Sequence, residues 1–316
     1  MINNKTVVVL GAGASKPYGY PIGLELRNQI IENFVNWYRE SIVNHLRLTS
    51  DKQGFLNNAQ NFVDTFKKSS NLSIDLFISR NPKFNNIGKL AIVLAIINSE
   101  IKSEYRNEID EPTQDWYSYL YHRMTENLID KNDISISNNQ IDFITFNYDR
   151  SFDYFLYDSF NNSFSEISYD KKIQELNKII IHHINGIYAP IQKTYRSQNY
   201  SYKSKHLNYN ADTLTKNIEV IYSNRSSELL NGINDKLDNA ERVFFLGFGY
   251  ANENLNALDI PNRWKKRAPQ IFGSAFGFTN NEIAVITSKL NNEKYRKSAD
   301  IKIVNCDCLS LLREYL

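Results

Sequence analysis

A chain of 316 residues, 42% of them hydrophobic, with 20 tyrosines and 18 phenylalanines, can build one large α/β domain or two smaller ones. Its formal charge of +2 argues against a dedicated nucleic-acid surface. The two cysteines, Cys306 and Cys308, supply neither a disulfide framework nor a four-cysteine zinc site, so a reducing compartment and no metal are expected.

The first element predicted is a strand over 5–10. Val7-Val8-Val9-Leu10 runs without polar interruption into Gly11-Ala12-Gly13-Ala14-Ser15, the pattern of a strand buried on both faces of a parallel sheet and followed by a tight turn. Gly11 and Gly13 lack Cβ, so this turn can present backbone N–H groups to a phosphate at the start of a helix. A dinucleotide fingerprint has a third glycine where Lys16 stands, and no Gly-Lys-Ser/Thr follows to make a triphosphate loop. The glycines alone therefore leave nucleotide binding and a plain strand–turn–helix open.

Lys16 to Gly23 is crowded with turn residues, and a helix is expected from about Leu24, with Leu26, Ile30, Ile31, Phe34, Val35 and Tyr38 at helical spacing. Asp51 to Gln60 reads as a polar surface connection. Ser73 or Asp75 can cap a helix, Leu90 to Ile101 reads as a buried helix, and Trp116, Leu120, Met124 and Leu128 mark another. Residues 24–132 are thus expected to form a mostly helical insertion after the first strand. The longest apolar run, Leu90 to Ile97, is too short to span a bilayer, and no basic-then-apolar signal opens the chain. A cytoplasmic protein with no membrane partner is expected.

Further strands are predicted near 141–146, 179–184, 242–247 and 301–304, in one parallel sheet with the first. Several of these runs end in polar or glycine-rich segments: Asn147-Tyr148-Asp149, Asn185-Gly186 and Gly247-Phe248-Gly249. Ligands of open α/β sheets bind beyond the carboxyl ends of strands, so the three segments can converge with Gly11 and Gly13 on one cleft. Tyr195 to Asn210, rich in Tyr, Ser and Asn, reads as an exposed or mobile loop.

Thr145, Asn147 and Asp149 fall on one side of an extended chain. Asn147 and Asp149 can grip ribose hydroxyls or position a water; alternatively Asp149 caps the helix that begins near Arg150. His182 and His183 interrupt an apolar strand. A histidine there is either a satisfied core residue or, for His183 at the strand end, a cleft-facing base, with His182 on the opposite face. Gly247 and Gly249 repeat the strand–Gly-x-Gly logic, as the far end of a dinucleotide site or as a tight turn. Gly273 to Gly277 is a weaker third glycine segment.

The ordered set Gly11-Ala12-Gly13-Ala14-Ser15, Thr145-Phe146-Asn147-Tyr148-Asp149, His183-Ile184-Asn185-Gly186 and Phe245-Leu246-Gly247-Phe248-Gly249 resembles the sirtuin-like superfamily. Its bacterial anti-phage branch is the more similar, with Pro21-Ile22-Gly23, Gly273-Ser274-Ala275 and Cys308 to Leu316 adding to the likeness. The resemblance covers essentially the whole chain and implies a Rossmann-like fold holding NAD⁺ as substrate. It implies Gly11, Ala12, Gly13 and Ser15 at the pyrophosphate, Gly247 and Gly249 near the adenosine, Asn147 and Asp149 by the nicotinamide ribose, and Thr145, Asn185 and Gly186 among the NAD⁺-binding residues. A zinc-bearing deacylase is disfavoured by the cysteine count. Members of the defence branch hydrolyse NAD⁺ to nicotinamide and ADP-ribose in abortive infection, as homo-oligomers or beside an ATPase, nuclease or helicase. The family's histidine before the glycine is here Asn185, so either His183 has taken over as base or the chain is a silent NAD⁺- or ADP-ribose-binding module. Asn147 would then hold the attacking water, His183 accept its proton, and Asp149 orient Asn147 or the loop.

Overall fold

The structure, a computed structural model, describes residues 1–44, 52–103, 114–128, 134–189, 202–203, 214–220, 226–260, 263–264, 268–291 and 300–316. His45, His206 and, apart from Tyr202 and Lys203, the Tyr195–Asn210 stretch lie outside them. In chain order the elements are β1 (Thr6–Leu10), α1 (Ala12–Ser15), α2 (Gly23–Asn44), α3 (Lys52–Lys68), α4 (Ile74–Arg80), α5 (Asn85–Lys102) and α6 (Trp116–Thr125). There follow β2 (Ile141–Thr145), α7 (Ser151–Ser163), α8 (Tyr169–Leu176), β3 (Ile181–His183), α9 (Ser227–Asn239) and β4 (Arg242–Leu246). The chain closes with α10 (Asn252–Ala257), β5 (Gln270–Ser274), α11 (Asn280–Leu290), β6 (Ile301–Val304) and α12 (Cys308–Tyr315).

All the strand pairings are parallel, in a six-stranded sheet ordered β3-β2-β1-β4-β5-β6. The fold is Rossmann-like α/β, as the strand pattern predicts. Alternate residues of each strand feed opposite faces. Val8, Leu10, Phe143, Phe244 and Leu246 join the core under α2 to α8 and α12, whereas Val7, Val9, Ile144, Val243 and Phe245 join the core under α9, α10 and α11. Every β1 residue is buried, which explains its unbroken apolar run; each fully buried Val or Leu contributes roughly 1.5–3 kcal/mol.

The helical insertion α2 to α6 covers one face. Its α5 is apolar nearly all round, and 67% of its most apolar 18-residue window is buried within the molecule. Length and composition alone would let the Pro82–Lys102 stretch cross a membrane. Lys52 to Gln60, expected as a surface connection, is instead the first half of α3. Its polar residues hide an apolar stripe, Ala59, Phe62, Val63 and Phe66, that packs into the insertion core. Ser73 caps α4, its hydroxyl accepting from the Leu76 N–H, while Asp75 accepts from the Tyr148 hydroxyl across the fold. The strand β5 was not among those predicted, because Gly273 sits inside it. A Cβ there would overlap the Tyr250 hydroxyl, so the glycine makes room for a buried tyrosine.

Candidate functional site

Strand order reverses between β1 and β4, and the turns leaving those two strands meet there. Gly11 N–H donates to the Leu246 carbonyl at 3.0 Å and Gly13 N–H to the Gly247 carbonyl at 2.9 Å. A Cβ on Gly11 would stand 2.6 Å from the Gly247 carbonyl oxygen, and one on Gly13 would stand 2.9 Å from the Gly247 backbone. Gly247 itself has φ +55°, and a Cβ on it would overlap the Ala14 nitrogen. These glycines are therefore required first by each other. Of the N–H groups expected to face a phosphate, those of Gly11, Gly13 and Ala14 are bonded within the protein. Among the described residues, the amides of Ala12, Phe248 and Gly249 have no protein acceptor, and Gly249 is exposed with open space over its Cα. Those three are the amides available to an anion at the crevice.

On the other side of the crevice, the end of β2 is a buried polar cluster. The Thr145 hydroxyl accepts from the Asn147 N–H at 3.0 Å, fixing the bend where the strand ends. Asn147 Nδ2 donates to the Ser15 hydroxyl at 3.0 Å. The Asn147 Oδ1 is buried without a partner.

Asp149 accepts from the Ser151 N–H at 3.0 Å and from the Ser151 hydroxyl, which pairs with the Tyr117 hydroxyl at 2.7 Å. Asp149 thus holds the first residue of α7, while the N-cap position of that helix is Arg150 and makes no side-chain cap bond. Burial pushes the Asp149 carboxyl above the usual carboxylate range, against the hydrogen bonds from Ser151 and Ser15.

His183 and His182 point to opposite faces, as strand alternation predicts. His182 packs on Gly232 of α9, whereas His183 Nε2 lies 3.2 Å from Asp153 Oδ1 on α7. Nδ1 of His183 is buried without a hydrogen bond of ordinary geometry, and the Asn147 main chain beside the ring favours its charged form. Burial pulls the His183 imidazole down, but the Asp153 charge and hydrogen bond outweigh it and set the pKa above the ordinary value.

Asn185, the position in which the resemblance expects a histidine, ties strand ends together. Its Nδ2 donates to the Phe146 carbonyl at 2.8 Å, and its own carbonyl accepts from the Glu219 N–H at 2.9 Å. Gly186 has φ +70°, and a Cβ there would overlap the Asn217 carbonyl. The pair accounts structurally for its own sequence.

Sequence reasoning missed Asp153, Ser151 and Tyr117. Asp153 sits in the first turn of α7, where an acid reads as a helix-dipole residue. Tyr117 comes from the far end of the insertion, stacked on Tyr18 at 3.6 Å, and no local signal connects it with the β2 end. No protein-family model matches the chain, and no curated protein matches it.

Proposed function

We propose that this chain binds NAD⁺ across the crevice between the β1 and β4 turns and hydrolyses its nicotinamide–ribose bond, acting as an anti-phage effector that depletes NAD⁺. The observation that carries the reading is the meeting of two glycine turns where strand order reverses, with the unpaired Asn147 Oδ1 buried at the adjoining β2 end. Free amides at Ala12, Phe248 and Gly249 suit a pyrophosphate. A carboxamide acceptor beside an imidazole suits a ribose hydroxyl and the attacking water. The residue set comes from the resemblance; the chemistry follows from the groups themselves.

In this reaction the water O–H bond breaks as its oxygen bonds C1′. The C1′–N bond breaks with its electron pair going to the pyridine nitrogen, which loses its positive charge. The water's proton goes to His183. Asn147 Oδ1 would hold the water or the ribose, an interaction that strengthens as charge develops on the sugar.

The test is incubation of the purified chain with NAD⁺, alone and in lysate from phage-infected cells, with nicotinamide and ADP-ribose followed by chromatography. Asn147→Ala is expected to lower turnover on the order of 10²-fold while leaving the NAD⁺-induced rise in Tm nearly intact. Equal loss of affinity and rate would make Asn147 a plain binding contact. A second reading, a silent NAD⁺- or ADP-ribose-binding module, is favoured by the engagement of Asn185 with the Phe146 carbonyl. It predicts the Tm rise with no nicotinamide released under either condition.

A further inference from the structure

We propose that Tyr117 is a positioning residue for the hydrolysis, donating to the Ser151 hydroxyl, which in turn donates to the Asp149 carboxyl and holds it in one orientation. The inference rests on the hydrolase reading and on the place by the nicotinamide ribose that the resemblance gives Asp149. It adds a residue that neither the motifs nor the resemblance assigns.

The turn that joins β2 to α7 is tied to the helical insertion at each residue after Asn147. Tyr148 donates its hydroxyl to Asp75 of α4, and Arg150 is paired with Glu100 of α5 at 2.8 Å. Asp149 is reached from Tyr117 of α6 by way of Ser151. The first two bonds hold the residues on either side, and only the third ends on the Asp149 carboxyl.

Hydroxyl valence gives that third tie its direction. Asp149 Oδ1 accepts both the N–H of Ser151, at 3.0 Å, and its hydroxyl. A serine hydroxyl has a single proton, so with that proton on the carboxylate Ser151 accepts from Tyr117, 2.7 Å away. Tyr117 is 1% exposed, and burial pushes its phenol well above the ordinary tyrosine value, so it stays a donor. Its ring stacks on Tyr18 at 3.6 Å, and its N–H donates to the Tyr18 hydroxyl at 2.9 Å. Tyr18 in turn donates to Asp115, so the Tyr117 hydroxyl is presented by a ring that is itself held. Any fixed acceptor would satisfy a buried tyrosine. Here the acceptor is a hydroxyl already committed to a carboxylate, so the bond strengthens the hold on that group.

As C1′ gains positive charge, a carboxylate held beside the ribose stabilises the transition state, whereas one free to turn away does so less. The other titratable groups that face Asp149 are Asp153 of α7, His183 of β3, Tyr20 between α1 and α2, and Tyr202. All of them remain in Tyr117→Phe, so a change in that variant reads the lost hydroxyl.

Two measurements on the full chain test this. In the first, Asp149 is titrated by NMR in protein labelled at the aspartate carboxyls, its signal assigned by its loss in Asp149→Asn. The wild-type midpoint is expected above the ordinary carboxylate value, and Tyr117→Phe should raise it further, because support for the ionised form is lost. Ser151→Ala should raise it at least as far, and adding Tyr117→Phe to Ser151→Ala should raise it no more. In the second, nicotinamide release from NAD⁺ is followed. Tyr117→Phe should lower kcat on the order of 10-fold with little change in KM. Ser151→Thr, which keeps a hydroxyl, should lose less than Ser151→Ala. An unchanged midpoint in a folded Tyr117→Phe protein overturns the inference, as does a double variant in which the two losses simply add. An unchanged kcat in Tyr117→Phe, beside an active wild type, overturns it too. If Tyr117→Phe does not fold, Ser151→Ala and Ser151→Thr carry the same titration. If wild type hydrolyses no NAD⁺ even in infected lysate, the hydrolase reading fails and the role in hydrolysis fails with it; the titration then decides separately whether Tyr117 holds the carboxyl.

Discussion

The two halves of the sheet end differently. Beyond β4, β5 and β6 the chain packs closely on its glycines, Gly247 against the Ala14 backbone and Gly273 against the Tyr250 hydroxyl, beside a buried Cys308 thiol pushed up to about 12. Beyond β1, β2 and β3 the chain instead buries ionisable and amide groups. Glu100 and Arg150 are each 2% exposed and joined by two hydrogen bonds, at 2.9 and 2.8 Å. Asn147, Asp149 and His183 lie on the same side. The first half is tight around its glycines and the second is tied by a buried ion pair, and among the described residues Asn147 Oδ1 and His183 Nδ1 at the ends of β2 and β3 are buried without partners. The glycines that first draw the eye to this sequence brace one another, and the buried polar cluster lies in the other half.

The largest test of that contrast is Glu100→Ala. Glu100 also accepts from the Tyr188 hydroxyl at 2.7 Å and from the Lys203 N–H at 2.8 Å, so its removal strands a buried guanidinium and two further donors. Breaking one partner of a buried ion pair costs about 3–5 kcal/mol. A urea midpoint lowered by that much is expected, and a change under about 1 kcal/mol would mean the polar half is held by packing after all.

A smaller effect separates the glycines of the opposing half. Gly247→Ala must accept both a left-handed backbone and overlap with the Ala14 nitrogen, which together cost about 2–4 kcal/mol. Gly249→Ala meets open space and should stay within about 0.5 kcal/mol of wild type in stability, yet shrink the Tm rise given by NAD⁺. Gly13 cannot serve for this test. Although its substitution looks harmless in a phosphate loop, a side chain there would strike the Gly247 backbone and disturb the fold along with any ligand. Equal destabilisation by Gly247→Ala and Gly249→Ala would erase the distinction between the bracing glycine and the crevice one.

What the sequence discloses follows from range. The β1 run and the β4 run are local patterns that bury on both faces, so apolar continuity reveals them. The segment β3 shows as a strand near 179–184 but orders over three residues, each of them partly exposed. The glycine inside β5 disguises it because its cause, Tyr250, lies elsewhere in the chain. Alternation along β2 and β3 correctly puts Thr145 with Asn147 and parts His182 from His183. Pairings such as Glu100 with Arg150 and Asp153 with His183 leave no trace in spacing, because each joins elements that only the folded sheet brings together. Tyr202 is the same case: in a stretch read as exposed, it stacks on Tyr154 at 3.9 Å and pairs its hydroxyl with that of Tyr20.

The smallest effect is also the most direct comparison, because it sets adjacent residues of one strand against each other. Burial pulls the His182 pKa down, with Asp142 offsetting only part of this, whereas His183 is raised once Asp153 overcomes its burial. A histidine whose folded pKa is lowered contributes stability that is full above its unfolded value of about 6.5 and is lost as pH falls from there to the folded value. One whose folded pKa is raised contributes stability that is full below about 6.5 and is lost as pH rises through the folded value. In wild type the two slopes oppose and partly hide one another. His182→Gln should therefore gain stability relative to wild type between about pH 8 and about pH 5.5, and His183→Gln should lose it over the same interval. Urea midpoints at those two pH values read both changes. Slopes of the same sign would mean that the neighbouring faces do not differ electrostatically, and that Asp153 does not favour the charged form of His183.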